Sequence, residues 1–169
     1  MIQLAAFLAL SLSLEIPAPS LGQPQNFLDP VVGSELVNQY RQSETPYSEG
    51  HRGVDYKVSF GQGVFAPADG QVHFVGTVVN RPLLSISHDN QLLSAFEPLC
   101  SNLISGELVK RGDLIGEVCE PDASYEPHCT HFTCLHFSIR KNGEYLSPLW
   151  LTGAMTASRL LPWVEPENL

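Results

Sequence analysis

The sequence predicts an all-β domain of many short strands, and three observations predict it. Thirteen glycines and thirteen prolines punctuate the 169 residues, which leaves room for short strands and little for long helices. Between these breakers lie short runs of β-branched, aromatic and aliphatic residues, as in Val54-Asp55-Tyr56 and Leu135-His136-Phe137. Asn142-Gly143, set between two such runs, is the clearest hairpin turn in the chain.

In chain order the expected strands run from Gly33 to Tyr40, Val54 to Val58, Val64 to Ala66, Gly70 to Val79, Leu83 to His88, Leu92 to Pro98, Leu114 to Val118 and Cys134 to Arg140, with an edge strand at Tyr145 and Leu146. In the Val54 strand, the strand formers Val54 and Tyr56 share a face, so Asp55 points to the other. In the Cys134 strand, strict alternation puts Cys134, His136 and Ser138 on one face and Leu135, Phe137 and Ile139 on the other. His73 reads as an exposed strand residue, and Arg81-Pro82 as an ordinary loop pair. His88, beside the turn signal Asp89-Asn90, reads as structural. A short helix is expected around Met155 to Leu161, stopped by Pro162. The chain shows neither internal repeats nor low-complexity tracts.

Residues 1–22 read as a signal peptide or an uncleaved anchor. Ile2 to Leu14 is an apolar run of signal-core length, too short to span a bilayer comfortably and preceded by neither Lys nor Arg, and Ala18 to Gly22 supply small residues for cleavage. Residues 23–27 form a linker, 28–152 a single core domain and 153–169 a tail. This places the protein outside the cytoplasm, secreted or in the cell envelope. Four cysteines in such a chain imply two disulfides; pairing of sequence neighbours gives Cys100 with Cys119 and Cys129 with Cys134, one of three connectivities. A free Cys134 thiolate would instead be a candidate fourth metal ligand. The net charge of −9 disfavours nucleic acid and anionic membrane surfaces as partners. Arg52, Arg81 and Tyr125 are candidate lip residues of a binding groove.

The chemistry concentrates on His51, Asp55 and His136. Two imidazoles and a carboxylate form the usual three-ligand set for Zn2+, with one coordination place left for water. Gly53, between the first two, is expected to let the backbone turn tightly.

The residues around these three recur in a fixed order. His51-Arg52-Gly53-Val54-Asp55-Tyr56 is followed by Gly63 to Val72, by Ser87-His88-Asp89-Asn90, by Val109 to Gly116, and by Leu135-His136-Phe137-Ser138-Ile139 running on to Glu144 and Ser147-Pro148. In order and spacing this resembles the core of the M23 metallopeptidases, lysostaphin-like enzymes that cut peptide bonds in bacterial peptidoglycan. The resemblance implies an antiparallel, barrel-sandwich-like sheet, Zn2+ as cofactor, His51, Asp55 and His136 as its ligands, and wall peptides as partners.

Two departures bear on catalysis. Where active members carry His-x-His this chain has Cys134-Leu135-His136, and where they carry Tyr-x-His-Leu it has Phe96-Glu97-Pro98-Leu99. Cys134 and Pro98 thus stand at positions whose histidines act on water and on the oxyanion. Neither residue replaces a proton carrier of suitable pKa. The same replacements mark a secreted subgroup with the Cys-Leu-His ending. His128 is the favoured stand-in, ahead of His131, in the loop before the last strand. Glu97 is expected to face elsewhere, by alternation with Pro98. The readings that follow are a zinc endopeptidase of peptidoglycan peptides and a silent module that binds wall or regulates another wall hydrolase. A lipoyl-like carrier, suggested by Gly112-Asp113-Leu114-Ile115-Gly116, is poor because the lysine hairpin it needs is absent.

Overall fold

The computed structural model describes residues 27–45, 47–120 and 129–155. Ten strands occur among them: β1 (Leu36–Asn38), β2 (Val54–Lys57), β3 (Gly63–Phe65), β4 (Gly70–Val78), β5 (Arg81–Ser87), β6 (Leu92–Glu97), β7 (Leu108–Val109), β8 (Leu114–Glu117), β9 (Cys134–Lys141) and β10 (Glu144–Leu146). The main sheet runs β1-β2-β9-β6-β5-β4-β7, antiparallel throughout, and β3 and β8 form a separate two-stranded sheet. β6 pairs along one edge of β9, and the other edge is shared by β2 on its first half and β10 on its second. The all-β class expected from the sequence is the class observed.

Period-2 alternation builds the core. On β9, Leu135, Phe137 and Ile139 are fully buried; on β5 Leu84 and Ile86, and on β6 Phe96, join them. Phe96 and Phe137, cross-strand partners, stack at 5.2 Å between ring centroids. Val64 of β3 and Ile115 of β8 belong to the same apolar cluster, so the small sheet covers the inner face of the large one. The opposite face of β2, β9, β6 and β5 is left to carry chemistry.

Three elements differ from expectation. β5 begins at Arg81, not Leu83, so Arg81-Pro82 is strand and not loop. Val79, at φ 60°, turns the chain, and Arg81 and Pro82 then pair with Val78 and Thr77. β7 is two residues long and was not expected; it is held by pairing of Leu108 and Val109 with Gln71 and Gly70, a distant partnership without a local signature. A single helical turn, α1 (Pro148–Leu151), opens on a proline at its first position. Of the helix expected around Met155 to Leu161, all but Met155 lies outside the described residues, as do the leader, Tyr125 and His128. Among the described residues no helix is long and apolar enough to cross a membrane. The Asn142-Gly143 turn closes β9 onto β10 with both residues at positive φ, 52° and 88°.

Candidate metal centre and the groove around it

Asp55 and His136 are direct cross-strand partners in the β2–β9 ladder, so their side chains leave the sheet side by side. His51 is fixed ahead of β2 by two backbone bonds with Arg41, at 2.9 and 3.0 Å. The result is convergence on one carboxylate oxygen. His51 Nε2 lies 3.2 Å and His136 Nδ1 2.7 Å from Asp55 Oδ1, and one ligand atom from each residue falls within 4.8 Å of the others. Asp55 is wholly buried, whereas both rings are part-exposed.

The atoms around the cluster orient it. Asn38 Nδ2, from β1, donates to Asp55 Oδ2 at 2.8 Å, which turns Oδ1 toward the rings. His51 Nδ1 lies 2.8 Å from the Gln39 carbonyl; a carbonyl only accepts, so Nδ1 carries the proton and Nε2 presents its lone pair to Oδ1. Two acceptors at 3.2 Å call for a proton or a cation between them. In the ion-free protein the proton is favoured, and the hydrogen bond to Asp55 raises the His51 pKa above its usual 6.5, against the lowering effect of burial. Two imidazole nitrogens and one carboxylate oxygen are donors that suit zinc. Asn38 and Gln39 were missed in the sequence, because each acts on a residue that only folding brings near.

Gly53 serves differently from expectation. It is not among the positive-φ glycines; what it supplies is space. A Cβ there would stand 2.4 Å from the Phe137 carbonyl oxygen and 2.7 Å from the His136 ring.

Cys134 is bonded to Cys129, and Cys100 to Cys119, as the sequence suggested. Both sulfurs of the Cys129–Cys134 bridge lie near the Asp55 carboxylate, so the first position of the Cys-Leu-His ending holds a disulfide with no proton to give. Pro98 is buried after a cis Glu97-Pro98 peptide and does not line the groove. His131 is exposed and is likewise not a groove residue. His88 is structural: its Nδ1 meets the Asp69 carbonyl and its Nε2 the Ser94 hydroxyl, at 2.7 and 2.8 Å, and burial lowers its pKa.

His51, Asp55 and His136 sit in a groove of about 1120 Å³ that crosses the outer face of the sheet. Its floor is Asp55 from β2, His136, Ser138 and Arg140 from β9, Ala95 and Glu97 from β6, and Leu83 and Ser85 from β5; residues 37–41 with Gly50 to Arg52 form one wall. His73, exposed on β4 as expected, lies at the far end. Glu97, expected to face elsewhere, is on this floor. Because Phe96 fills the core and Pro98 is buried after it, Glu97 is the residue of that stretch left to the groove, where it pairs with Arg81 at 2.9 Å.

Residues 49–148 match the sequence profile of peptidase family M23. The chain belongs to this family. An uncharacterised protein of Mycobacterium tuberculosis is 30% identical over 131 residues, covering 75% of this chain and 51% of the relative. The Escherichia coli murein hydrolase activator NlpD is 33% identical over 103 residues, covering 59% of this chain and 25% of NlpD. Among solved structures, Csd3 of Helicobacter pylori superposes with a TM-score of 0.60 at 26% identity, over 80% of this chain and 36% of Csd3. The chain spans about half the length of the first curated relatives it matches.

Proposed function

We propose that this M23 protein holds zinc through His51 Nε2, Asp55 Oδ1 and His136 Nδ1, works outside the cytoplasm on the peptide part of peptidoglycan, and hydrolyses it slowly. The observation that carries the proposal is the convergence of these three donors on the floor of an open groove. The chemistry zinc supplies when bound is Lewis acidity toward water and toward a scissile carbonyl. Asn38 and the Gln39 carbonyl fix the orientation of the donors, as partners of metal ligands generally do. Slowness follows from Pro98 and the bridged Cys134, which offer neither a base nor an oxyanion donor where the family resemblance calls for histidines. Two disulfides in the described residues support an oxidising compartment.

Those same two positions favour a second reading, a module that binds wall peptides or contacts another wall hydrolase without cutting. NlpD, named as an activator, is a relative in keeping with it. Incubating zinc-loaded protein with purified peptidoglycan separates the two. New amino termini that cease with a chelator and in His136→Ala support hydrolysis. Co-sedimentation with the wall and no new termini supports the module, and loss of both binding and cleavage in zinc-replete protein sinks the assignment to wall peptides.

A further inference from the structure

The β4 end of the groove is apolar, and a β-bulge makes it so. Strict alternation from Val72, which is buried, would send Phe74 into the core as well. Instead the β4–β5 ladder slips between them. Val72 faces Ile86 and Phe74 faces Ser85, so two steps on β4 answer one on β5 and His73 is the extra residue. Beyond the slip it is Val75 that packs against the core, while Phe74 and Val78 emerge into the groove, 37% and 39% exposed. Gly76, between them, leaves room for the ring: a Cβ there would stand 3.1 Å from Phe74 Cζ. The ladders fix where this patch lies. His136 faces Glu97, the Phe96–Leu84 pair sets Leu83 beside Glu97, and Leu83 faces Gly76. That row crosses three strand spacings, so Gly76, with the tip of the Phe74 ring over it, lies about 14 Å from the His136 backbone. An extended peptide covers the distance with about four residues.

Polar groups of the same groove flank the patch, His73 on β4 and the Arg81–Glu97 pair. The ligand that suits such a surface combines a C–H face with a polar rim. A pyranose ring does so: its axial C–H bonds, positively polarised, meet the negative face of an aromatic ring, and its hydroxyls stay at the edge. An alkyl side chain brings nothing for the rim. The stem peptides of peptidoglycan hang from such a ring, an N-acylated amino sugar. We infer that the β4 end of the groove is a sugar subsite, in which Phe74 stacks on the amino sugar of a muramyl peptide whose peptide part, a few residues on, reaches His51, Asp55 and His136. The inference deepens the functional reading above and rests on it.

The test uses zinc-loaded full chain, with zinc content measured in each sample, titrated calorimetrically with two sets of wall fragments. One set is muramyl peptides released by a muramidase, and the other is the same peptides freed of their sugar by an amidase. The amidase leaves a new amine, whose effect on the ratio of the two affinities is common to every variant, so the deciding quantity is the change in that ratio. Phe74→Ala, and Phe74→Leu, which keeps bulk without the ring, should each lower the preference for the sugar-bearing set by about tenfold, the scale of one aromatic contact. Zinc content and affinity for the sugar-free set should stay as they are, and Phe74→Trp should keep the preference. A ratio unchanged in both Phe74→Ala and Phe74→Leu overturns the sugar subsite and leaves the wall-peptide reading standing; if both affinities have then fallen together, the patch holds an apolar side chain instead. Zinc-replete native protein that binds neither set overturns both.

Discussion

Asp55 serves three of the described residues at once. Oδ2 accepts from Asn38, and Oδ1 faces two imidazoles in a position closed to solvent. Asn38→Ala removes the only one of these partners that is not itself a candidate ligand. Because Asn38 is exposed, water replaces part of what is lost, and the expected cost is about 1 kcal/mol in denaturant unfolding with zinc affinity down by about tenfold or more. A zinc titration unchanged in this variant would show that the carboxylate needs no help from β1. His51 gives the pH dependence. Its pKa is raised in the ion-free fold, chiefly by Asp55, so its contribution to stability is complete below about 6.5 and is lost as pH rises through the raised value. Zinc competes for the same lone pair, so affinity moves the opposite way and weakens as pH falls. Urea midpoints of chelated protein and zinc dissociation constants, followed from about pH 5.5 to about pH 8, should show these contrary slopes. Parallel slopes would exclude His51 as the shared group.

At the scale of elements, β9 brings together most of the site: His136, Ser138 and Arg140 face the groove, and Cys134 begins the strand in a bridge to Cys129. Replacing both cysteines by Ala should leave zinc stoichiometry intact while lowering unfolding free energy by about 2 kcal/mol, the entropy of closing a short loop. Loss of zinc in the double variant would make the bridge part of the metal centre. The faces of β2 and β9 were legible in the sequence because alternation is a local, period-2 signal, and Val54 to Tyr56 and Cys134 to Ile139 keep it without interruption. Glu97 was misread because Pro98 was assumed to face the site; alternation itself holds, with Phe96 and Pro98 buried and Glu97 between them in the groove. β7 and the Arg81 end of β5 escaped because their pairing, and not their composition, makes them strands. The role of Gly53 was legible as a glycine requirement but not as the space the His136 ring occupies.

For the molecule as a whole, two candidate ligands come from the paired strands β2 and β9 of the main sheet and the third from the segment just ahead of β2, so the proposed zinc binding and folding are one equilibrium. With free zinc at a hundred times its dissociation constant the fold gains about 2.7 kcal/mol. In a domain of this size that gain raises the melting temperature by about 5 to 10 °C. Differential scanning calorimetry with and without chelator measures the shift, and a melting temperature indifferent to chelator would place any bound ion away from the β2–β9 ladder.

The Asp55–His136 pairing joins positions 81 residues apart. A backbone nick introduced between β7 and β8 would therefore leave two of the donors on one fragment and the third on the other. Once the Cys100–Cys119 bridge that spans the nick is reduced, such a split protein keeps its ion only for as long as the halves remain annealed, so the rate at which zinc escapes is a clock for the separation of β2 from β9.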